Sequence, residues 1–183
     1  MRYIVFDLEA TCWENVRNPE QQEIIEIGAV ALSGANGPAV SEFGRFVKPV
    51  ATHELSRFCT KLTSITQSDV DKAEIFPFVF ADFAKWIGDD PFTLCSWGGY
   101  DLNQLRKDCA RHNMPLPAAF ERHINLKREF SRWKNVKPMG MKGALHLLQI
   151  PLAGTHHRGI DDARNIGLIA AQLLPWIEAH PTE

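Results

Sequence analysis

Short apolar runs dominate the first third of the chain. Residues 4–6, 24–32 and 43–47 are rich in β-branched and aromatic side chains, a composition typical of strands buried in a sheet. Pro49 ends the third run, because proline donates no backbone hydrogen bond to a ladder. These patterns predict three successive strands connected as hairpins.

Helical periodicity becomes prominent further along the chain. Apolar residues recur at helical spacing between Phe76 and Ile87, which predicts an amphipathic helix over 76–87. Residues 92–95 predict one more strand, whereas 124–130 fit either a helix or a strand. Strands that come first, with later strands interleaved among helices, predict an α/β or α+β fold, of which α/β is the class we expect. The remaining predicted helices cover 53–61, 66–72, 100–113, 140–149 and 161–179.

Composition indicates one globular domain. The 183 residues are 45% apolar and 23% charged, and the formal net charge of −2 excludes a strongly basic nucleic-acid coat protein. The four cysteines form no CxxC pair, which favours reduced thiols in a cytoplasmic protein. No apolar run reaches the roughly 18 residues of a membrane span. We expect a single domain over residues 1–183, with its core at about 3–176 and a frayed C-terminal tail.

Asp7 and Glu9 follow the first apolar run. Side chains alternate along a strand, so these two carboxylates are expected to face the same way. Neighbouring carboxylates repel each other unless a cation lies between them, and Mg²⁺ or Mn²⁺ prefers oxygen ligands. A solvated strand end that carries two surface charges is the alternative, because the DxE motif is weak by itself.

Two more acids lie on apolar faces of predicted helices. Asp101 shares its face with Leu105 and Cys109, although an acid that simply favours the helix dipole is the alternative. Asp162 begins the stripe that continues through Ile166, Ile169 and Leu173. Asp161 lies on another row and is the better candidate for a helix cap.

A histidine precedes Asp162 in a loop bracketed by two glycines. His157 lies five residues before Asp162, and a loop histidine close to a metal cluster suits a general base that reaches a water. The adjacent His156 is not excluded by this reasoning, and a surface role is the alternative for either ring. Inward-facing acids on three elements would repel one another strongly, so a bound cation is the simplest explanation.

With these motifs in place, the sequence resembles the DEDDh 3′→5′ exonucleases of the ribonuclease-H-like superfamily. That family has DxE on its first strand, a middle aspartate, and H-x-x-x-x-D at its last helix. A narrower resemblance is to the Eri and 3′-histone-mRNA exonuclease group and its bacterial relatives. It is carried, in order from residue 3 to about residue 170, by IVFDLEATCWE, EIIEIGAVAL, FVKPV, LSRFCTKLTSITQSDVDKA, SWGGYDLNQL and HRGIDDARNIG.

The resemblance implies a mixed central sheet flanked by helices, and it implies roles for the motif residues. His157, selected over His156 by the motif spacing, matches the general base that activates the attacking water. The 3′-terminal nucleotide would be held by residues after the first motif and by a second block. Two divalent cations, Mg²⁺ or Mn²⁺, would be held by Asp7, Glu9, Asp101 and Asp162. The implied nucleotide contacts are Leu8, Ala10, Thr11, Trp13, Leu62 and Thr63. Trp13 could instead pack at the sheet edge, and Leu62 and Thr63 could be ordinary core and cap positions.

Positive charge is concentrated in residues 127–142. This segment contains six basic residues and only one acid, Glu129, and Phe130 and Trp133 are interleaved with the basic residues. Basic side chains bind phosphates and aromatic rings stack on bases, so we expect Trp133, Lys134 and Lys137 to guide single-stranded nucleic acid. A solvated loop anchored by its aromatics is the alternative.

Together, the motifs, the resemblance and the basic segment predict a metal-dependent 3′→5′ exonuclease that acts on single-stranded RNA and releases nucleoside 5′-monophosphates. The expected partner is single-stranded nucleic acid, with RNA favoured over DNA. Two alternatives stay open: the same chemistry on DNA, as in proofreading relatives, and a catalytically silent nucleic-acid-binding module. Animal relatives often add a nucleic-acid-binding domain, whereas the matching blocks here fill the sequence, so stem-loop specificity is not implied.

Overall fold

The computed structural model describes residues 1–15 and 20–181 of the chain. A short 3₁₀ helix over Ala118–Glu121 precedes the last strand. The strands are β1 (Arg2–Ala10), β2 (Ile24–Leu32), β3 (Ala39–Phe46), β4 (Phe92–Ser96) and β5 (His123–Asn125). The helices are α1 (Arg57–Thr63), α2 (Gln67–Asp71), α3 (Phe76–Ile87), α4 (Tyr100–Arg111), α5 (Leu126–Lys134), α6 (Met141–Leu147) and α7 (Gly159–Ala179).

The five strands form one mixed sheet in the order β3-β2-β1-β4-β5. The first three strands pair antiparallel, as the apolar runs predicted, and β4 and β5 join in parallel. Strand β1 therefore lies in the centre, paired on both sides. The predicted α/β class, with a mixed central sheet flanked by helices, is confirmed.

Apolar side chains leave the sheet on both faces. Ile4 and Phe6 of β1 pack into one cluster with helices α3 and α4. Tyr3 and Val5 point the other way and pack with α5, α6 and α7. Alternate side chains of β1 thus pack into two hydrophobic cores, one on each face of the sheet. Because β1 is buried in the centre of the sheet, the polar residues at its end lie between these two cores.

Several element boundaries differ from the sequence predictions. Helix α1 begins at Arg57 and not at residue 53, because Ser56 caps it by accepting the Cys59 N–H. The ambiguous segment 124–130 contains both states, since β5 ends at Asn125 and that side chain then caps α5. These ends are set by side-chain caps, to which apolar periodicity is insensitive.

The start of α7 lies directly against the strands. Gly28 of β2 and Gly159 at the start of α7 approach so closely that a Cβ on Gly28 would lie 2.0 Å from the carbonyl carbon of Gly159. This contact places the N-terminus of α7 beside the carboxyl end of β1. At its other end α7 reaches Ala179, and His180 stacks on Trp176, while residues 182 and 183 of the predicted frayed tail lie outside the described residues.

Among residues 1–15 and 20–181, every helix is too short or too polar to cross a bilayer.

Candidate active site

Strand β1 brings two carboxylates to one point. Asp7 lies opposite Gly28 and Glu9 lies opposite Glu26 in the antiparallel register of β1 and β2. Asp7 is half-buried and Glu9 is buried. Oxygen atoms of Asp7, Glu9 and Asp162 all lie within 4.8 Å of one another. The first strand and the last helix therefore supply one compact group of acids.

Asp101 joins this group from the first turn of α4. Its Oδ1 accepts a hydrogen bond of 3.2 Å from the backbone N–H of Leu8, the residue between Asp7 and Glu9. The side chain is 5% exposed, on the same face as the buried Leu105. The backbone of β1 thus fixes the orientation of the middle aspartate.

The loop before α7 holds Asp162 from two sides. The His157 N–H donates to Asp162 Oδ2 at 3.0 Å, and His156 Nδ1 lies 2.9 Å from the same oxygen. His157 adopts the left-handed conformation, with φ of 65°. The structure therefore brings both histidines, and not one of them alone, to the carboxylate.

Asp161 is not the N-cap residue of α7, although the sequence predicted this role for it. The N-cap position of α7 belongs to Arg158, and Asp161 lies inside the first turn. Its carboxylate accepts from the Thr155 N–H at 2.9 Å and binds Arg164. The prediction of a cap was wrong because the helix begins two residues earlier than expected, and Asp161 instead closes the histidine loop.

Crowding raises the pKa values of the acids. Burial, together with the charges of Asp101, Glu9 and Asp162, raises the pKa of Asp7 well above its ordinary value. Burial, then Asp162, Glu26 and Asp101, raises the pKa of Glu9 to about 8. Burial likewise raises the pKa of Asp101 to about 6, against an opposing hydrogen bond from Leu8. Their charged forms are costly in the absence of a counter-charge.

This donor set fits divalent cations. Carboxylate oxygens of Asp7, Glu9 and Asp162 converge, Asp101 is hydrogen-bonded to the same strand, and hard cations such as Mg²⁺ and Mn²⁺ take oxygen ligands of this kind. Burial and then mutual repulsion raise the pKa values of Asp7 and Glu9, and bound cations would supply the counter-charge that both effects lack. The residues present therefore fit a metal centre.

Sequence reasoning missed Glu26 and Arg158 at the edge of this centre. Glu26 is 2% exposed, and its carboxylate binds the Arg158 guanidinium and the Gly159 N–H. Its position opposite Glu9 depends on the register between β1 and β2. The periodicity of apolar residues within one strand contains no information about that register. The available signal was Glu26 itself, the one acid within the otherwise uncharged segment 24–32 that forms β2.

The residues implied as nucleotide contacts divide into two groups. Leu8, Ala10, Thr11 and Thr63 are buried. The Thr11 hydroxyl accepts from the Glu23 N–H, and the Thr63 hydroxyl donates to the Cys59 carbonyl. The Thr11 hydroxyl thus already accepts one hydrogen bond within the chain, and the Thr63 hydroxyl donates its hydrogen within the chain.

Trp13 and Leu62 are half-buried and line open cavities. Leu62 lines a cavity of about 380 Å³ together with Phe58 and Lys61 on α1. Trp13 lines another of about 460 Å³, which includes Arg111. Tyr100, next to Asp101, is 45% exposed and was not singled out from the sequence, although its place directly before the middle aspartate was a usable signal.

The basic segment is partly neutralised within itself. Arg128 and Arg132 both bind the buried Glu129. Trp133 is half-buried, and Lys134 Nζ lies 3.5 Å from the centre of its ring. Lys137 is exposed. The exposed lysines of this segment, Lys137 and Lys142, therefore lie toward its end. Burial, then His156 and also Lys142 lower the pKa of His157.

Comparison with known proteins agrees with this geometry. Residues 4–170 match the model of the exonuclease family RNase_T. The chain is 36% identical to ERI1 exoribonuclease 2 of Danio rerio, with 93% of this chain and 34% of that protein covered. It is 30% identical to the 3′-5′ exonuclease Snipper of Drosophila melanogaster, with 93% and 68% covered. The chain thus spans about a third of the length of the first of these relatives.

Solved structures give the same answer. The nuclease domain of 3′hExo bound to rAMP superposes with a TM-score of 0.88 at 30% identity, covering 95% of this chain and 92% of that one. A 3′-exonuclease with 3′-end specific recognition of the histone mRNA stem-loop has a TM-score of 0.88 at 28% identity, covering 94% and 63%. The chain belongs to the exonuclease family and, within it, to the DEDDh 3′→5′ exonucleases of the Eri and 3′hExo branch.

Proposed function

We propose that the chain is a 3′→5′ exoribonuclease that shortens single-stranded RNA from its 3′ end and releases nucleoside 5′-monophosphates. The observation that carries the proposal is the convergence of Asp7, Glu9 and Asp162 within 4.8 Å beside the histidine loop, with Asp101 bound to the same strand. Acids and a base in this arrangement suit phosphodiester hydrolysis.

The acids would hold two divalent cations, for which we propose Mg²⁺ or Mn²⁺. Asp7 interacts with the charges of Asp101, Glu9 and Asp162, so it would help these acids to hold the ions. When bound, such cations lower the pKa of an attacking water and stabilise charge on the leaving oxygen. The repulsion among the carboxylates supports this role, because it makes the metal-free charged state costly.

His157 would accept the proton of the attacking water. Burial, followed by the neighbouring His156, lowers the pKa of His157, which keeps its ring neutral and able to accept a proton at physiological pH. Its backbone N–H donates to Asp162, so ring and carboxylate are positioned together. Left-handed backbone at this residue points to a loop whose geometry is fixed for function.

RNA is the proposed substrate because the relative from Danio rerio is named an exoribonuclease and one neighbouring structure holds rAMP. The exposed Tyr100 and Phe58 and the half-buried Trp13 offer faces for bases, and Lys134 and Lys137 offer charge for phosphates. We further propose one exonuclease domain over residues 1–183 and a cytoplasmic location, supported by the family match to 4–170 and by four free cysteine thiols.

Digestion of matched RNA and DNA oligomers labelled at the 5′ end tests the proposal. Wild type is expected to give a ladder that shortens from the 3′ end on RNA with Mg²⁺ or Mn²⁺, and intact strands with a chelator. Asp7→Asn is the matched inactive control. Faster cleavage of DNA would favour a proofreading-like enzyme, and binding without cleavage under every metal condition would favour a silent binding module.

A further inference from the structure

We propose that His156, His157 and Asp162 form a second metal site, one suited to Zn²⁺ or a similar transition metal. A ligand atom from each of the three side chains lies within 4.8 Å of the others. The group shares Asp162 with the carboxylate centre but contains neither Asp7 nor Glu9, and it adds two ring nitrogens that the carboxylate centre lacks.

The backbone brings both rings to the same side. Side chains of adjacent residues in extended chain point in opposite directions. Here the left-handed conformation of His157 reverses that rule, and the two imidazoles stack with centroids 3.9 Å apart and planes at 29°. The arrangement is therefore a property of the folded loop and not of the adjacency of the two residues.

The loop that carries the rings is fixed at both ends. The Arg158 N–H donates to the Thr155 carbonyl, and the Thr155 N–H donates to Asp161. Gly154 has φ of 71°, and a side chain there would collide with the Asp161 carboxylate. A loop held in this way presents its two imidazoles without a further folding cost, as a preorganised metal site requires.

Burial of the three groups suits a metal ligand set. Asp162 is 4% exposed, so its charge is sheltered, whereas both rings are half-buried and remain reachable from solvent. His156 Nδ1 lies 2.9 and 3.1 Å from the two Asp162 oxygens. Metal binding would replace this hydrogen bond, with the ring proton on Nε2 and the Nδ1 lone pair toward the ion.

This site and the carboxylate centre differ in the ligand atoms that they offer a metal ion. Two imidazoles and one carboxylate, with a water to complete the shell, are a common set for Zn²⁺, whereas Mg²⁺ prefers oxygen ligands alone. Mg²⁺ is therefore expected to compete with Zn²⁺ only through the shared Asp162, so excess Mg²⁺ should weaken Zn²⁺ binding without abolishing it. On the proposed function, Zn²⁺ here would engage the His157 ring and prevent it from accepting a proton, so the ion would inhibit hydrolysis.

Titration calorimetry with ZnCl₂ in excess MgCl₂ tests the site without reference to nuclease activity. Wild type is expected to bind one Zn²⁺, and His156→Gln to bind it about tenfold or more weakly. His53→Gln, which changes an exposed histidine outside the loop, is the matched control and should bind as wild type does. Circular dichroism melting verifies that each variant is folded.

Two results would overturn the site: absence of Zn²⁺ binding in excess Mg²⁺, or equal Zn²⁺ affinity in folded His156→Gln and wild type. The proposed function fails separately. A protein that binds Zn²⁺ through His156 but leaves every RNA and DNA strand intact would retain the site and lose the exonuclease assignment.

Discussion

Glu26 and Arg158 form a bidentate ion pair that connects the second strand to the residue before the last helix. Nε and a terminal guanidinium nitrogen of Arg158 lie 3.1 and 3.2 Å from the two Glu26 oxygens. The Gly159 N–H donates to the same carboxylate at 2.8 Å. The pair holds the histidine loop against the strand that pairs with Glu9, so it joins parts of the candidate centre that lie 132 residues apart in the sequence.

Arg158→Gln is expected to destabilise the protein by about 2–4 kcal/mol, because it leaves the buried Glu26 charge without its partner. Activity should fall further than stability explains, since the loop loses its anchor. Chemical denaturation measures the first effect and kcat the second. Arg158→Lys, which keeps the charge but not the fork, should be intermediate. Wild-type stability in Arg158→Gln would contradict the role given to the pair.

The metal-free protein is expected to lose stability as pH rises. The pKa of Glu9 is raised to about 8 in the folded state, so between its ordinary value and about 8 the folded state binds more protons than the unfolded state. The free energy of unfolding in chelator should therefore fall from about pH 5 to pH 8, and Mg²⁺ should reduce the fall. Glu9→Gln should flatten the slope. A melting temperature independent of pH in chelator would contradict this account.

Asp7→Asn should abolish activity and leave the fold intact. Removal of one charge from a group whose members repel each other should raise the melting temperature of the metal-free protein. The expected loss of kcat is several orders of magnitude, measured beside the melting curve. Retained activity would contradict the assignment, and a lowered metal-free melting temperature would contradict the repulsion argument.

The two loop histidines should differ in kinetic effect. His157→Ala is expected to lower kcat by about 10²–10⁴-fold if its ring is the general base. The lowered pKa of His157 should place the acid limb of the pH–rate profile below the ordinary histidine range. His156→Gln should lose less activity and keep an acid limb, moved upward because His156 no longer adds to burial in lowering the pKa of His157. A larger loss in His156→Gln would assign the base to the other ring.

Charge reversal should reveal the path of the strand. Lys134→Glu with Lys137→Glu is expected to raise KM for long strands and to flatten its dependence on salt, because fewer phosphates are neutralised. Lys72→Glu with Lys85→Glu is the matched control elsewhere on the surface. An unchanged salt slope in the first variant would remove the basic segment from the substrate path.

Periodicity explains which parts of the fold and the site were predictable. Asp7 and Glu9 share a face because strand side chains alternate, and Asp162 belongs to the buried stripe of α7 because helices repeat every 3.6 residues. Both relations are local. The strands, the longer helices and the inward direction of the acids were therefore accessible from the pattern alone. The starts of α1 and α7 were not, because α1 begins where the Ser56 side chain accepts one backbone N–H, and α7 begins after Arg158 without a side-chain cap.

The chain itself thus determines a central apolar strand that ends in carboxylates, and helices whose buried faces carry further acids. Only the tertiary structure places Glu26 opposite Glu9, pairs it with Arg158, and turns His156 and His157 toward one aspartate. Those relations depend on strand register and on one left-handed residue. Both are set by long-range packing, such as the approach of Gly28 to Gly159, and not by any local repeat of apolar positions.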